Sequence, residues 1–179
     1  NQYVINRLAK NGQRYLYYTV SESIKRDLPV ELALLPFIES QFDPYAQSST
    51  GASGIWQFIL STAREQKLKK NWWYDGRRDI VASTSAAYDY LTKLHSKYDD
   101  WLLAIAAYNA GPNRISKEIK KNRAKGLSID FWSLNLPKET KAYVPKLLAL
   151  AEVIKNPDKY SITIPNLPNR PYFQLVTLP

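Results

Sequence analysis

Apolar positions recur with helical rather than strand periodicity along most of this 179-residue chain. Gln2 to Arg7 and Gln13 to Arg26 read as helices, broken near Asn11-Gly12 and stopped by Pro29. A third is expected over Glu31 to Gln41, with Pro36 inside it as a kink. Asp43-Pro44 ends it, because the residue before a proline avoids the helical region. A polar loop follows, YAQSSTGASG, and Ser61 is placed to cap a helix running through Ala63 and Leu68. Trp72, Trp73 and Tyr74 crowd the connection before Asp79. A stripe of Ala87, Leu91, Leu94 and Tyr98 marks a helix over Ser83 to Lys97. Asp100 reads as the N-cap of WLLAIAAYNA, which is apolar on all sides and so belongs at the centre of a helical domain, with Gly111-Pro112 as its stop. A basic helix starts at Ile115 and runs to Asn122. Lys138 to Lys155 aligns Tyr143, Leu147, Leu150 and Ile154, with Pro145 inside. From Asn156 the prolines multiply and periodicity fades, which reads as an extended wrap with room for short strands around Ile162 to Ile164 and Phe173 to Val176. No internal repeat interrupts the pattern.

Length and composition narrow the classes. The chain can bury a proper core as one domain, and 45% apolar with 13% aromatic residues excludes a disordered chain. No apolar run reaches the roughly 18 residues of a membrane span. It begins at Asn1 and holds no methionine, so a fragment is expected, whose signal peptide or lipid anchor, if any, lay before it. The absence of cysteine removes disulfides, thiolate zinc sites and cysteine nucleophiles. One histidine, His95, is too few for most metal sites or for a Ser-His-Asp arrangement, and following Leu91 and Leu94 it reads as a surface or edge residue. No metal and no cofactor are expected. The net charge is +9, with four basic residues against Glu65 in Arg64 to Lys70 and six against Glu118 in Arg114 to Lys125. Such clusters suit an anionic partner (nucleic acid, an acidic membrane surface, or an anionic wall polymer) and equally a solvated helix face. No nucleic-acid recognition module accompanies them.

Three segments are odd for an ordinary helical bundle. In LALLPFIESQF, the positions Leu32, Leu35, Glu39 and Phe42 fall on one helical face, where Glu39 is the only charge. A carboxyl buried among leucines keeps its proton near neutral pH, as a general acid must; an ion pair elsewhere or a face turned to solvent is the competing reading. In GASGIWQF, Gly51 and Gly54 permit positive φ and close approach of backbone to a ligand. There Gln57 offers an amide and Phe58 an apolar face, while Trp56 is equally a ligand surface or a core anchor. In AYNAGP, Tyr108 and Asn109 end a helix too apolar to be exposed, so they need buried partners, for which a protonated carboxyl is suited.

The strings LALLPFIESQFDPYAQSSTGASGIWQF, YDGRRD, LAIAAYNAGPNRI and LPKETKAYVPKLLALAEVI, in this order and spacing, resemble the lytic murein transglycosylases, most closely the membrane-bound D group. Together the four are specific, and they cover nearly the whole chain. The resemblance implies a mostly α, lysozyme-like (goose-type, SLT) catalytic domain over residues 1–156, with residues 1–28 as its N-terminal helical part and 157–179 as an extended C-terminal wrap. It implies Glu39 as the catalytic acid/base, Ser48 as its hydrogen-bond partner, and Gln57 as a sugar-holding amide. Tyr108, Asn109, Glu139 and Tyr143 would line the cleft. Ile55, and Ile59-Leu60 where Met-Pro is common, depart from the family pattern but leave the chemical groups intact.

The residue inventory then shapes the expected mechanism. A paired-carboxylate glycosidase needs a second acid ~5–10 Å from Glu39. Asp43 is one turn on, but Pro44 pulls it from the helix, and Asp75 and Asp79 read as loop and cap residues. Substrate assistance by the neighbouring N-acetyl group is the favoured alternative. The expected reaction cleaves the MurNAc-GlcNAc β-1,4 bond and leaves 1,6-anhydro-MurNAc ends, with hydrolysis to a reducing end as the competitor. The expected partner is the peptidoglycan glycan strand rather than nucleic acid. A monomer in the periplasmic cell envelope is expected, with any membrane tether outside this sequence.

Overall fold

A computed structural model of the chain describes residues 1–176. It is mostly α, and the backbone forms two compact units: Asn1–Ala86 with the chain from Ala149 onward, and Ala87–Leu148.

In the first unit, helix α1 (Gln2–Gly12) is capped by Asn1, whose side chain accepts the Tyr3 N–H. It continues past Arg7 through Gly12, so the glycine is no breaker. Its smallness serves packing instead, because a Cβ there would lie 3.3 Å from the Phe42 ring. Helix α2 (Leu16–Lys25) packs on a 3-10 turn, Val30–Leu34. Buried Thr19 joins the two, its hydroxyl lying 3.0 Å from Leu16 O and 3.3 Å from Ala33 O.

The single helix expected over Glu31 to Gln41 is in fact two pieces, the 3-10 turn and then α3 (Leu35–Ser40). Proline supplies the reason. Pro36 has no N–H to donate four residues back, so it sits in the first turn of α3, where that donor has no intrahelical partner anyway. Gln41 (φ 56°) and Phe42 (φ 63°) then turn left-handed and end the helix before Asp43-Pro44. Leu32, Leu35 and Phe42 are all buried to 2% exposure or less, yet they reach the interior through three different backbone conformations.

Helix α4 (Leu60–Glu65) starts one residue before Ser61, which is therefore inside the helix and not its cap. Helix α5 (Ile80–Tyr98) starts earlier than Ser83 because Asp79 Oδ1 accepts the Ala82 N–H at 2.8 Å. After helix α8 (Lys138–Lys155) comes a short 3-10 turn, Asp158–Tyr160, and then irregular chain. The strands anticipated around Ile162 and Phe173 are not formed among the described residues. Instead the Gln2 amide donates to Thr163 O and accepts from Thr163 N, both at 2.8 Å. Phe173 lies against Tyr18, with ring centroids 5.2 Å apart.

The second unit is built around helix α6 (Trp101–Ala110), which packs against helix α7 (Pro112–Ala124) and a 3-10 turn, Phe131–Ser133. Asp100 caps α6 by accepting the Leu103 N–H at 2.9 Å, and Leu103 to Ala107 are buried, as an all-apolar helix requires. Gly111 (φ 86°) closes α6 and opens directly into α7. His95 is half-buried, stacked on Trp101 at 4.1 Å between ring centroids. Helix α8 spans the bounds its periodicity implies, with Pro145 inside. The carbonyl that Pro145 cannot satisfy belongs to Lys141, an exposed residue that water can reach.

Candidate active site

The first unit carries Glu39, Ser48, Gly51, Gln57 and Phe58. Glu39 is the penultimate residue of α3 and is half-buried. It is neither sealed among leucines, as the apolar stripe alone suggests, nor turned fully to solvent, because α3 is short and unwinds just beyond it. The next residue ties this end of the helix down. Ser40 Oγ lies 3.1 Å from Pro36 O and 3.0 Å from Ile55 O, so its proton holds α3 against the 51–58 loop.

That loop folds back on itself about Ser53, which is fully buried and bridges both Gln47 and Phe58 in antiparallel fashion. Ser48 Oγ accepts the Ala52 N–H at 3.0 Å and pairs with Thr50 Oγ1 at 2.9 Å, fixing the approach to Gly51. Gln57 has φ 51°, an uncommon conformation for a non-glycine residue. Its amide nitrogen donates to Gly54 O (2.9 Å) and Ala46 O (3.2 Å). Both amide hydrogens are thereby committed within the loop, and Oε1 is the atom through which Gln57 can meet a ligand. Phe58 is buried at 3% exposure, so it supports the loop more than it offers a face. Trp56 resolves as a core anchor. It is fully buried, with its indole N–H on Thr84 Oγ1 at 3.0 Å.

Arg77 is the residue that pattern reading missed. Its side chain is 5% exposed, and its guanidinium spans three segments. Nη1 donates to Gly51 O (2.8 Å) and Phe58 O (3.1 Å), the two ends of the loop. Nε and Nη2 grip the Asp75 carboxylate at 2.9 and 2.7 Å, a bidentate pairing only an arginine fork can make. The side-chain hydrogen bonds from Arg77 hold the Asp75 carboxyl below the usual carboxylate range, against the opposing effect of its burial. Gly54 makes the close approach possible. It has φ +83°, and a Cβ there would lie 1.8 Å from the Arg77 carbonyl oxygen. The legible signal was the acid-x-Arg spacing of YDGRRD, which pairs Arg77 with Asp75; the other two partners, Gly51 O and Phe58 O, lie too far along the chain to be read.

The three acids weighed as a second carboxylate for Glu39 are each engaged. Asp43 Oδ1 accepts the Tyr45 N–H at 2.9 Å, Asp75 holds Arg77, and Asp79 accepts both the Ala82 N–H and the Tyr74 hydroxyl.

The second unit carries Tyr108, Asn109, Glu139 and Tyr143. Tyr108 lies against Tyr90, with ring centroids 5.8 Å apart, and both are half-buried. Buried Thr140 donates to Asn109 Oδ1 at 2.8 Å, which sets the amide so that its nitrogen faces Glu139 Oε1 at 3.4 Å. Glu139 is exposed, and Tyr143, one turn along α8, is buried at 5% exposure. Thr140, adjacent to a residue already singled out, also went unread.

A family model described as the transglycosylase SLT domain matches residues 17–131. The membrane-bound lytic murein transglycosylase D of Escherichia coli strain K12 is 48% identical over 166 residues, 92% of this chain and 37% of that protein. The chain thus spans little more than a third of that relative's length. A protein named for tributyltin chloride resistance, from Alteromonas sp. strain M-1, is 40% identical over 88% of this chain and 76% of its own. The solved structure of an inactive mutant of the lytic transglycosylase Slt from Pseudomonas aeruginosa superimposes with a TM-score of 0.58 at 28% identity, covering 82% of this chain and 24% of that one. The mostly helical, lysozyme-like fold accords with that neighbour, and with a family model matching more than half of its residues the chain belongs to the transglycosylase SLT domain family.

Proposed function

We propose that this chain is the catalytic domain of a peptidoglycan lytic transglycosylase, with Glu39 as its sole general acid/base. The observation that carries the reading is the setting of Glu39. It is a half-buried acid on a helix end stapled through Ser40 to the loop that bears Gln57, while Asp43, Asp75 and Asp79 are each engaged in turns, caps or ion pairs. Half-burial leaves the carboxyl within reach of substrate beside the loop that bears Gln57, which is where a general acid has to stand.

In the proposed reaction Glu39 protonates the glycosidic oxygen between MurNAc and GlcNAc. The substrate's own N-acetyl group stabilises the cation developing at C1. Glu39, now a carboxylate, takes the proton of the C6 hydroxyl as that oxygen closes on C1. The 1,6-anhydro-MurNAc end forms, Glu39 regains its proton, and no water is consumed. General acid/base catalysis of this kind contributes about 10²–10⁴-fold, and orientation by Ser48, Gln57, Tyr108, Asn109, Glu139 and Tyr143 supplies much of the rest. The partner is the glycan strand and the place of action the periplasmic cell envelope, in keeping with the membrane-bound name of the E. coli relative. Among the described residues no helix is long and apolar enough to cross a membrane.

Mass spectrometry of digested sacculi tests the reaction. Wild type should release anhydro-ended muropeptides, and Glu39→Gln should release none while still binding glycan. Products carrying an added water would replace this reading with hydrolysis.

A further inference from the structure

Outside the residues assigned above, the first unit displays a second feature. Trp72 and Trp73 are 89% and 90% exposed, side by side. Large indoles are rarely left so open unless the surface has a use. They are also held in place. Asn71 Oδ1 accepts the N–H of both Trp73 (2.9 Å) and Tyr74 (2.8 Å), and Asn71 N donates to Tyr74 O at 2.8 Å. Lys70 and Asp75 bridge below this turn, and Gly76 N donates to Lys69 O at 2.8 Å. The tip is therefore a closed loop rooted on Asp75, the carboxylate that Arg77 grips. Beside it lies a cleft of about 570 Å³, lined by Tyr45, Lys70, Trp72, Trp73, Tyr74 and Arg78 among others. That volume is within the range of roughly 300–1,000 Å³ typical of ligand clefts.

We infer that this aromatic loop is an accessory glycan-binding platform, on which pyranose rings of the peptidoglycan strand stack away from the bond being cleaved. Flat indole faces edged by hydrogen-bonding groups match the C–H faces and hydroxyl rims of sugars. Asp75 and Asp79 also line the cleft, but Asp75 is held by Arg77 and Asp79 by Tyr74 and Ala82, so exposed Lys70 and Arg78 leave its rim net positive, suited to the carboxylates that the strand bears. A loop already ordered loses little entropy when it binds, which makes it a contact surface and not a flexible tail. The inference rests on the proposed substrate, because a polymer extends beyond its scissile bond and can be gripped there.

The test uses the protein carrying Glu39→Gln, so that strands are bound without being cut, and purified glycan strands freed of peptide stems. Adding Trp72→Ala and Trp73→Ala should weaken strand binding about tenfold or more, the loss expected for two stacked aromatic contacts. Phe at both positions should restore most of it. Both side chains are exposed, so thermal unfolding should not change; should the double alanine variant misfold, the Phe pair and a blue shift of tryptophan emission on adding strands to the Glu39→Gln protein decide the question. Unchanged affinity overturns the platform, and that is also the outcome if another segment of a longer chain covers it. Binding that ignores the indoles but falls with salt and with Lys70→Ala and Arg78→Ala overturns it too, leaving a merely charged surface. Failure here is separable from failure of the proposed reaction: anhydro products with indole-independent binding sink only the platform, and indole-dependent binding without anhydro products sinks only the reaction.

Discussion

Arg77→Ala is the substitution that most directly probes how the loop of the candidate site is held. It removes two hydrogen bonds from a cation to main-chain carbonyls, Gly51 O and Phe58 O, and leaves Asp75 at 14% side-chain exposure with only Lys70 at 3.9 Å and the main-chain N–H of residue 77 at 3.1 Å. Hydrogen bonds to charged groups contribute about 1.5–3 kcal/mol each, and breaking one side of a buried ion pair costs about 3–5 kcal/mol. The contributions share one side chain and do not add, so a total of about 3–5 kcal/mol is expected, a large share of the ~5–15 kcal/mol that stabilises a typical domain. With a urea dependence of ~2 kcal/mol per molar, the unfolding midpoint should fall by roughly 2 M. Arg77→Lys keeps the charge but cannot span two carbonyls and a carboxylate, so it should lie between wild type and alanine and reduce lysis of sacculi before it reduces stability. Asp75→Asn added to Arg77→Ala should recover part of the loss, since the stranded charge is then gone. A midpoint shift for Arg77→Ala equivalent to less than about 0.5 kcal/mol, the scale of an ordinary surface change, would refute the clamp.

Other expectations follow from the same geometry. Because Asp75 has its folded-state pKa depressed by Arg77, its contribution to stability is present above the ordinary value of 3.8 and is lost as pH falls through the lower folded value. Wild type should therefore lose stability across that acid window more steeply than Asp75→Asn, as urea midpoints at stepped pH would report; parallel profiles would count against the pairing. Gly54→Ala and Gly51→Ala form a matched pair, with φ +83° and +81°. Gly51→Ala meets no atom within 4 Å and should cost only the left-handed penalty of about 1–2 kcal/mol, whereas Gly54→Ala drives a Cβ into the Arg77 carbonyl and should cost more and abolish lysis. Equal thermal shifts for the two would contradict the close approach. Thr140→Val should free the Asn109 amide from its fixed orientation at a stability cost of about 1 kcal/mol, lowering activity far more than Thr140→Ser does.

Much of this was legible before any fold was known. The bounds of α8, the Asp100 cap, the Gly111 stop and the burial of α6 follow from residues within a few positions of one another, because helical periodicity, capping and backbone conformation are local properties. The candidate acid was legible as a charge misplaced among leucines, and the family from four motifs in order. Local reading failed where distant packing overrode it. Gly12 looked like a breaker and is a spacer for Phe42, and Pro36 looked like a kink and divides a 3-10 turn from an α-helix.

What only the tertiary structure decided is which group each polar side chain spends itself on. Trp56 reads from sequence as either a ligand surface or an anchor, and Thr84, 28 positions on, makes it an anchor. Arg77 reads as one member of the YDGRRD string, and becomes a clamp because Gly51 O and Phe58 O arrive 26 and 19 positions away. Burial makes such pairings obligatory, since an unsatisfied buried charge or carbonyl is costly, but the partner is chosen by the path of the folded backbone. Sequence therefore determined the helices and the kind of chemistry available, and the fold determined which atoms remain for a substrate to meet.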